Sequence, residues 1–94
     1  MKNIVHSPHL ELRLKIREIP RSLPRRIYQN SHEHYFDKET GKNIAIEKVR
    51  FKVRLREMTV VYEEREDEIR LITVHPLKVL QRIRRIKSGR WQRI

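Results

Sequence analysis

The chain has no cysteine among its 94 residues, so disulfides, cysteine-type zinc sites and thiol nucleophiles are excluded. Glycine occurs only at Gly41 and Gly89, too few for a glycine-rich phosphate loop. Walker-type, dinucleotide-binding, Gly-x-Ser-x-Gly and paired-acid metal motifs are all missing. No apolar run approaches the roughly 20 residues of a membrane-spanning helix, and the N-terminus lacks the apolar centre of a secretory signal. The expected setting is the cytoplasm, without membrane contact. Acid, finally, is missing from one stretch: Pro76 to Ile94 carries seven Lys or Arg and no Asp or Glu.

The charge that is present is unevenly divided. Residues 1–31 carry a net +5, residues 32–75 a net −1 and residues 76–94 a net +7, together +11. A positive excess gathered at both ends of the chain raises the local phosphate concentration and supplies salt-dependent affinity for nucleic acid. RNA or the ribosome is the expected partner. Charged residues make up 37% of the chain and hydrophobic ones also 37%. The apolar residues are patterned, which argues for one folded domain over 1–94 and against disorder.

The pattern changes period along the chain. Ser7-Pro8 reads as a helix opening, with Pro20 at the far boundary and Leu12, Ile16 and Ile19 as the apolar stripe. Ser22-Leu23-Pro24 opens a second helix to about Gln29, with Leu23, Ile27 and Tyr28 inward. From His32 the period becomes two. A strand around Tyr35, the turn Asp37 to Gly41, a strand over Ile44 to Val49, one over Leu55 to Glu64 and one over Ile69 to His75 form an antiparallel meander. Val79, Leu80, Ile83 and Ile86 then return to helical spacing, with Lys78, Arg82 and Arg85 on another face and Gly89 as the stop. The expected fold is α+β: two N-terminal helices, a four-stranded antiparallel sheet and a C-terminal amphipathic basic helix packed on it. The tail 89–94 is read as flexible. Its Trp91 either stacks on an unpaired base or folds back onto the core.

Pro8-His9-Leu10-Glu11-Leu12-Arg13-Leu14-Lys15-Ile16-Arg17-Glu18-Ile19-Pro20, the short helix after it, and the strands ending in Val60 to Glu64 and Leu71 to Pro76 carry a resemblance. Over about residues 6 to 80 the chain resembles the small domains grouped near BrnT and the RelE/ParE superfamily. That resemblance implies a RelE-like fold and the toxin of a type II toxin–antitoxin pair. The activity implied is a metal-independent ribonuclease acting on mRNA, at the ribosome in many members, and neutralised by an acidic or DNA-binding antitoxin. Two alternatives stay open: a non-catalytic basic module that binds nucleic acid or ribosome, and an inhibitor of a protein target as in the ParE branch.

Metal-free RNA cleavage needs a base for the 2′-hydroxyl proton, cations around the phosphorane and an acid for the leaving oxygen. No cofactor or metal is called for. His75, at the end of the last strand and beside the basic segment, is the first choice for acid or base. A strand-end histidine bonded to backbone is an equal alternative. Arg54 and Arg56 are candidates for the phosphate clamp and Tyr62 for the general acid, with ordinary cross-strand pairing as the plainer role. Lys78, Arg82 and Arg85 are the expected phosphate-binding cations. His9, Arg13 and Arg17, at i, i+4 and i+8, form a second strip, and these are the most recognisable positions of the resembling families. His32 and His34 would share one strand face, but a lone His-x-His is weak evidence for metal.

Overall fold

The structure, a computed structural model, describes residues 2–94. The chain opens with a strand, β1 (Asn3–His6), followed by α1 (Pro8–Ile16) and α2 (Ser22–Asn30). The strands β2 (Glu33–Asp37), β3 (Lys42–Phe51), β4 (Arg54–Glu64) and β5 (Glu68–Pro76) come next, then α3 (Gln81–Lys87) and β6 (Trp91–Arg93). They form one six-stranded sheet in the order β1-β5-β4-β3-β2-β6. The four-stranded antiparallel sheet expected from the sequence is therefore incorrect. The sheet is mixed, because β1 lies parallel to β5 through Asn3↔Glu68 to His6↔Leu71, and β6 adds to β2 at the opposite edge. Strands of four and three residues are too short to show a period of two, and both pairings are made at long sequence distance.

The meander forms as its alternation dictates. Ala45 on β3 faces a core built with Leu10 and Leu14 of α1 and Leu23 and Ile27 of α2. Its neighbours Ile44 and Ile46 face the other way, into a smaller cluster with Tyr35 and Trp91. Both sheet faces are thus apolar in the middle. Trp91 is buried and stacks on Tyr35 with ring centroids 5.5 Å apart, so residues 91–93 of the tail are a sheet edge and not a free end.

Two turns explain boundaries that the sequence obscures. The β2–β3 hairpin uses Gly41 at φ 74°, with its N–H bonded to the Asp37 carbonyl at 2.8 Å. The β3–β4 reversal instead uses Lys52 at φ 58°, a conformation that usually goes to Gly or Asn. No turn residue therefore marks it.

Helix α1 begins as read: the Ser7 side chain accepts the Leu10 N–H at 3.1 Å and Pro8 occupies the first turn. The helix then stops at Ile16, short of Pro20, as Glu18 takes φ 54°. Its buried residues are Leu10 and Leu14, while Leu12 and Ile16 are 57% and 69% exposed, so the apolar stripe read at Leu12 and Ile16 faces solvent. The same correction holds for α3. None of its residues is buried, and Val79, Leu80, Ile83 and Ile86 do not pack on the sheet as expected. What holds α3 is polar: the Arg82 guanidinium bonds Glu33 of β2 at 2.5 and 3.1 Å and Glu57 of β4 at 2.5 and 3.4 Å.

Strand β5 carries an irregularity that decides which of its side chains face the core. Val61 pairs with Thr73 but Tyr62 pairs with Leu71, so Ile72 is one residue too many on β5. Such a bulge shifts the facing of every later residue. Ile69, Leu71 and Val74 all enter the main core, and Thr73 and His75 are left off it.

The corrected facing of α1 has a direct test. Leu14→Ala is expected to lower unfolding stability by about 2–5 kcal/mol, whereas Leu12→Ala changes it by less than about 0.5 kcal/mol. Urea denaturation of the two variants measures both.

Candidate functional site

A cleft of about 540 Å³ opens where α1, the end of β5 and the following loop meet. Arg13 reaches it from α1 and Arg17 from the residue that caps the helix, four positions on; Thr73 and His75 come from β5, and Lys78 and Gln81 from beyond it. Arg13, Arg17 and Lys78 make no ion pair among the described residues, and no carboxylate lines the cleft. Strand β1 ends its pairing at Leu71, so the flank of β5 beyond that point is left to these cations.

His75 is half-buried within this group. Burial holds its pKa below the usual histidine value, and the positive charges of Lys78, Arg17 and Arg13 lower it further. Both effects favour the neutral ring, which can accept a proton. Thr73 Oγ1, in the same lining, is buried without a hydrogen-bond partner. Chemically the arrangement sets three cations beside a histidine, a combination that can hold an anion.

The residues expected to act with His75 are only partly assembled. Arg13, Arg17 and Lys78 join it, while His9, further towards the start of α1, is exposed and lies outside the cleft. Arg82 does not join, because Glu33 and Glu57 occupy its guanidinium and raise its pKa. Arg85 lies outside as well, half-buried, with Nε unpartnered. Arg54 and Arg56 border a different groove, which they share with Lys78.

Tyr62 is not placed as a general acid for His75. It is buried on the helix-covered face, and it pairs with Leu71 where His75 pairs with Thr59. Its hydroxyl donates to His34 Nδ1 at 2.8 Å, while His34 Nε2–H donates to the Ser31 carbonyl at 3.2 Å. Burial pushes the Tyr62 phenol pKa up and the His34 pKa down. Tyr28, Tyr62 and His34 meet edge to face. With both ring nitrogens engaged, His34 is a structural residue, and His32 is exposed beside it.

Sequence reasoning missed Thr73 and Gln81 as cleft residues. Thr73 follows from the bulge, which no local signal marks. The only local sign of Gln81 is its place three residues after Lys78, whose N–H it accepts at 3.1 Å. Compared with protein-family models, curated proteins and solved structures, the chain matches none.

Two outcomes follow from this chemistry. Because α3 rests on Arg82 and not on buried apolar surface, Arg82→Leu is expected to remove hydrogen-exchange protection from the amides of α3 while those of β3, β4 and β5 keep theirs. Second, the folded-state pKa values of His34 and His75 both lie below the unfolded value of about 6.5. The unfolded chain then binds more protons, so stability is full above that pH and falls as the pH drops through it. Thermal melts between pH 7.5 and 5.5 should show a falling Tm, with a smaller fall in His75→Gln.

Proposed function

We propose that the protein binds single-stranded RNA by its phosphate backbone in the cleft of Arg13, Arg17, His75 and Lys78. One observation carries this reading: three cations free of carboxylate partners among the described residues line one cleft with a half-buried histidine, and none of the described acids lines it. The net charge of +11 adds long-range attraction, and a cytoplasmic location goes with such a partner. Among the described residues no helix is long and apolar enough to cross a membrane.

Cleavage of the bound RNA is the second reading, favoured by the state of His75. A neutral ring can take the 2′-hydroxyl proton as the 2′-oxygen attacks the adjacent phosphorus. The bond from phosphorus to the 5′-oxygen breaks, leaving a 2′,3′-cyclic phosphate and a 5′-hydroxyl. Arg13, Arg17 and Lys78 balance the charge on the phosphorane, and water supplies the proton to the leaving oxygen in place of the buried Tyr62. The resemblance to type II toxins supports this second reading, with mRNA as substrate, the ribosome as a site of action and a protein antitoxin as the neutralising partner.

Fluorescence anisotropy with a labelled RNA oligonucleotide across a salt series tests the first reading. Affinity is expected to fall with salt, and Arg13→Ala, Arg17→Ala and Lys78→Ala should each reduce the logarithmic salt slope by about 0.7. Binding should also tighten as pH falls from 7.5 to 5.5, because phosphate raises the pKa of His75, and His75→Ala should remove that pH dependence. Binding unaffected by all four variants would overturn the cleft as the site. Cleavage is read separately, from cyclic-phosphate ends that appear with the parent chain and not with His75→Ala. Intact RNA removes the ribonuclease reading and leaves the binding one.

A further inference from the structure

The exposed aliphatic side chains are not scattered. Leu55, Val79, Leu80 and Ile83 line one groove of about 370 Å³ between the start of β4 and the loop leading into α3. Val53, 90% exposed, stands on the adjoining turn, and Val79 is 89% exposed. Val79, Leu80 and Ile83 are residues that the helical spacing would have buried against the sheet; Val79 and Leu80 instead stand in the loop before α3, and the Arg82 clamp holds the helix with Ile83 exposed.

Leu80 adds a second sign. It takes φ 64°, a left-handed conformation disfavoured for any residue with a Cβ, while its side chain is 52% exposed. Backbone strain and solvated aliphatic surface at one residue are both unfavourable in the isolated chain, and such strain concentrates at ligand clamps. The groove also carries charge of one sign. Arg54, Arg56 and Lys78 line it without ion-pair partners among the described residues, whereas its only acid, Glu57, is neutralised by Arg82.

We infer that this groove docks an amphipathic helix of a partner protein, aliphatic on its seated face and acidic along its flanks. Aliphatic anchors at helical spacing fill a groove of this kind, and flanking carboxylates meet Arg54, Arg56 and Lys78. Nucleic acid is a poorer match, since no aromatic side chain among the described residues lines the groove to stack a base. A second copy of the chain is also disfavoured: an isologous pair would set the same three cations against each other across its axis. Apart from Lys78 the residues lie outside the RNA cleft, so the inference does not depend on RNA binding.

The test uses the full chain and a labelled synthetic peptide with leucine at i, i+3, i+4 and i+7 and glutamate on both flanks. A scrambled peptide of the same composition is the control. Anisotropy and amide chemical shifts are expected to show saturable binding centred on Leu55, Val79, Leu80 and Ile83, and the scrambled peptide should bind at least about tenfold weaker. Ile83→Glu and Arg56→Glu should each weaken binding about tenfold, while Leu12→Glu, a charge on unrelated exposed apolar surface, leaves it unchanged. Thermal melts check that the variants fold, and Val79→Glu in the loop replaces Ile83→Glu if that one does not. Equal affinity for the scrambled peptide, or shifts centred elsewhere, would overturn the inference. So would a concentration-dependent dimer that protects these residues, or occupation of the groove by phosphatidylglycerol vesicles but not by the peptide.

Discussion

The arrangement depends on one serine and one extra residue. Ser7 is buried at the junction of β1 and α1. Its N–H bonds the Leu71 carbonyl at 2.9 Å, its hydroxyl donates to the Ile72 carbonyl at 3.3 Å and the same oxygen accepts the Leu10 N–H. One residue thus ends the parallel ladder through its backbone, and through its side chain satisfies the carbonyl of the bulged residue and starts the helix. The bulge turns His75 off the core face, and the helix begun at Ser7 carries Arg13 and Arg17 along the flank of β5 that β1 leaves free. Take away either feature and the cations and the histidine have no common place.

The charge divides into two populations with different work. Arg82 and Arg90 are structural. Arg82 joins α3 to β2 and β4, and Arg90 bonds the buried Asp37 at 2.9 and 3.0 Å to hold the last segment against the sheet. Arg13, Arg17 and Lys78 hold no carboxylate among the described residues, which leaves them for the external anion proposed above. Net charge counts both populations alike, so it points to a polyanion without saying which cations meet it. The same polar attachment of α3 keeps its aliphatic residues in solvent, where an apolar seam would have buried them. Electrostatics therefore shapes both exposed sites, the cationic cleft by leaving charges unpaired and the aliphatic groove by replacing hydrophobic packing.

Local pattern was enough for the meander from β2 to β5, for the Ser7 cap, and for the approximate start of α2. Alternation along Ile44, Ala45 and Ile46 and the turn at Gly41 are local facts, and strand and hairpin chemistry follow from them. It failed at α1, where Leu10, Leu12, Leu14 and Ile16 are all apolar and any of them could have faced inward; contact with β5 selected Leu10 and Leu14. It failed again at Tyr62, read as a general acid, whose ring is buried against Tyr28 and His34.

By itself, then, the sequence determined the absence of thiol and glycine-loop chemistry, the positive ends, the strand meander and the cationic neighbourhood of His75 and Lys78. These depend on residue type and near spacing. Only the tertiary structure decided that the sheet has six strands, that Trp91 is an edge strand's core residue, that Arg82 is tied up, and that Arg13 and Arg17 complete the cleft. Each of those outcomes joins residues that are far apart in the chain. A guanidinium is free or paired according to which carboxylate the fold brings within about 3 Å of it, and no local pattern records that distance.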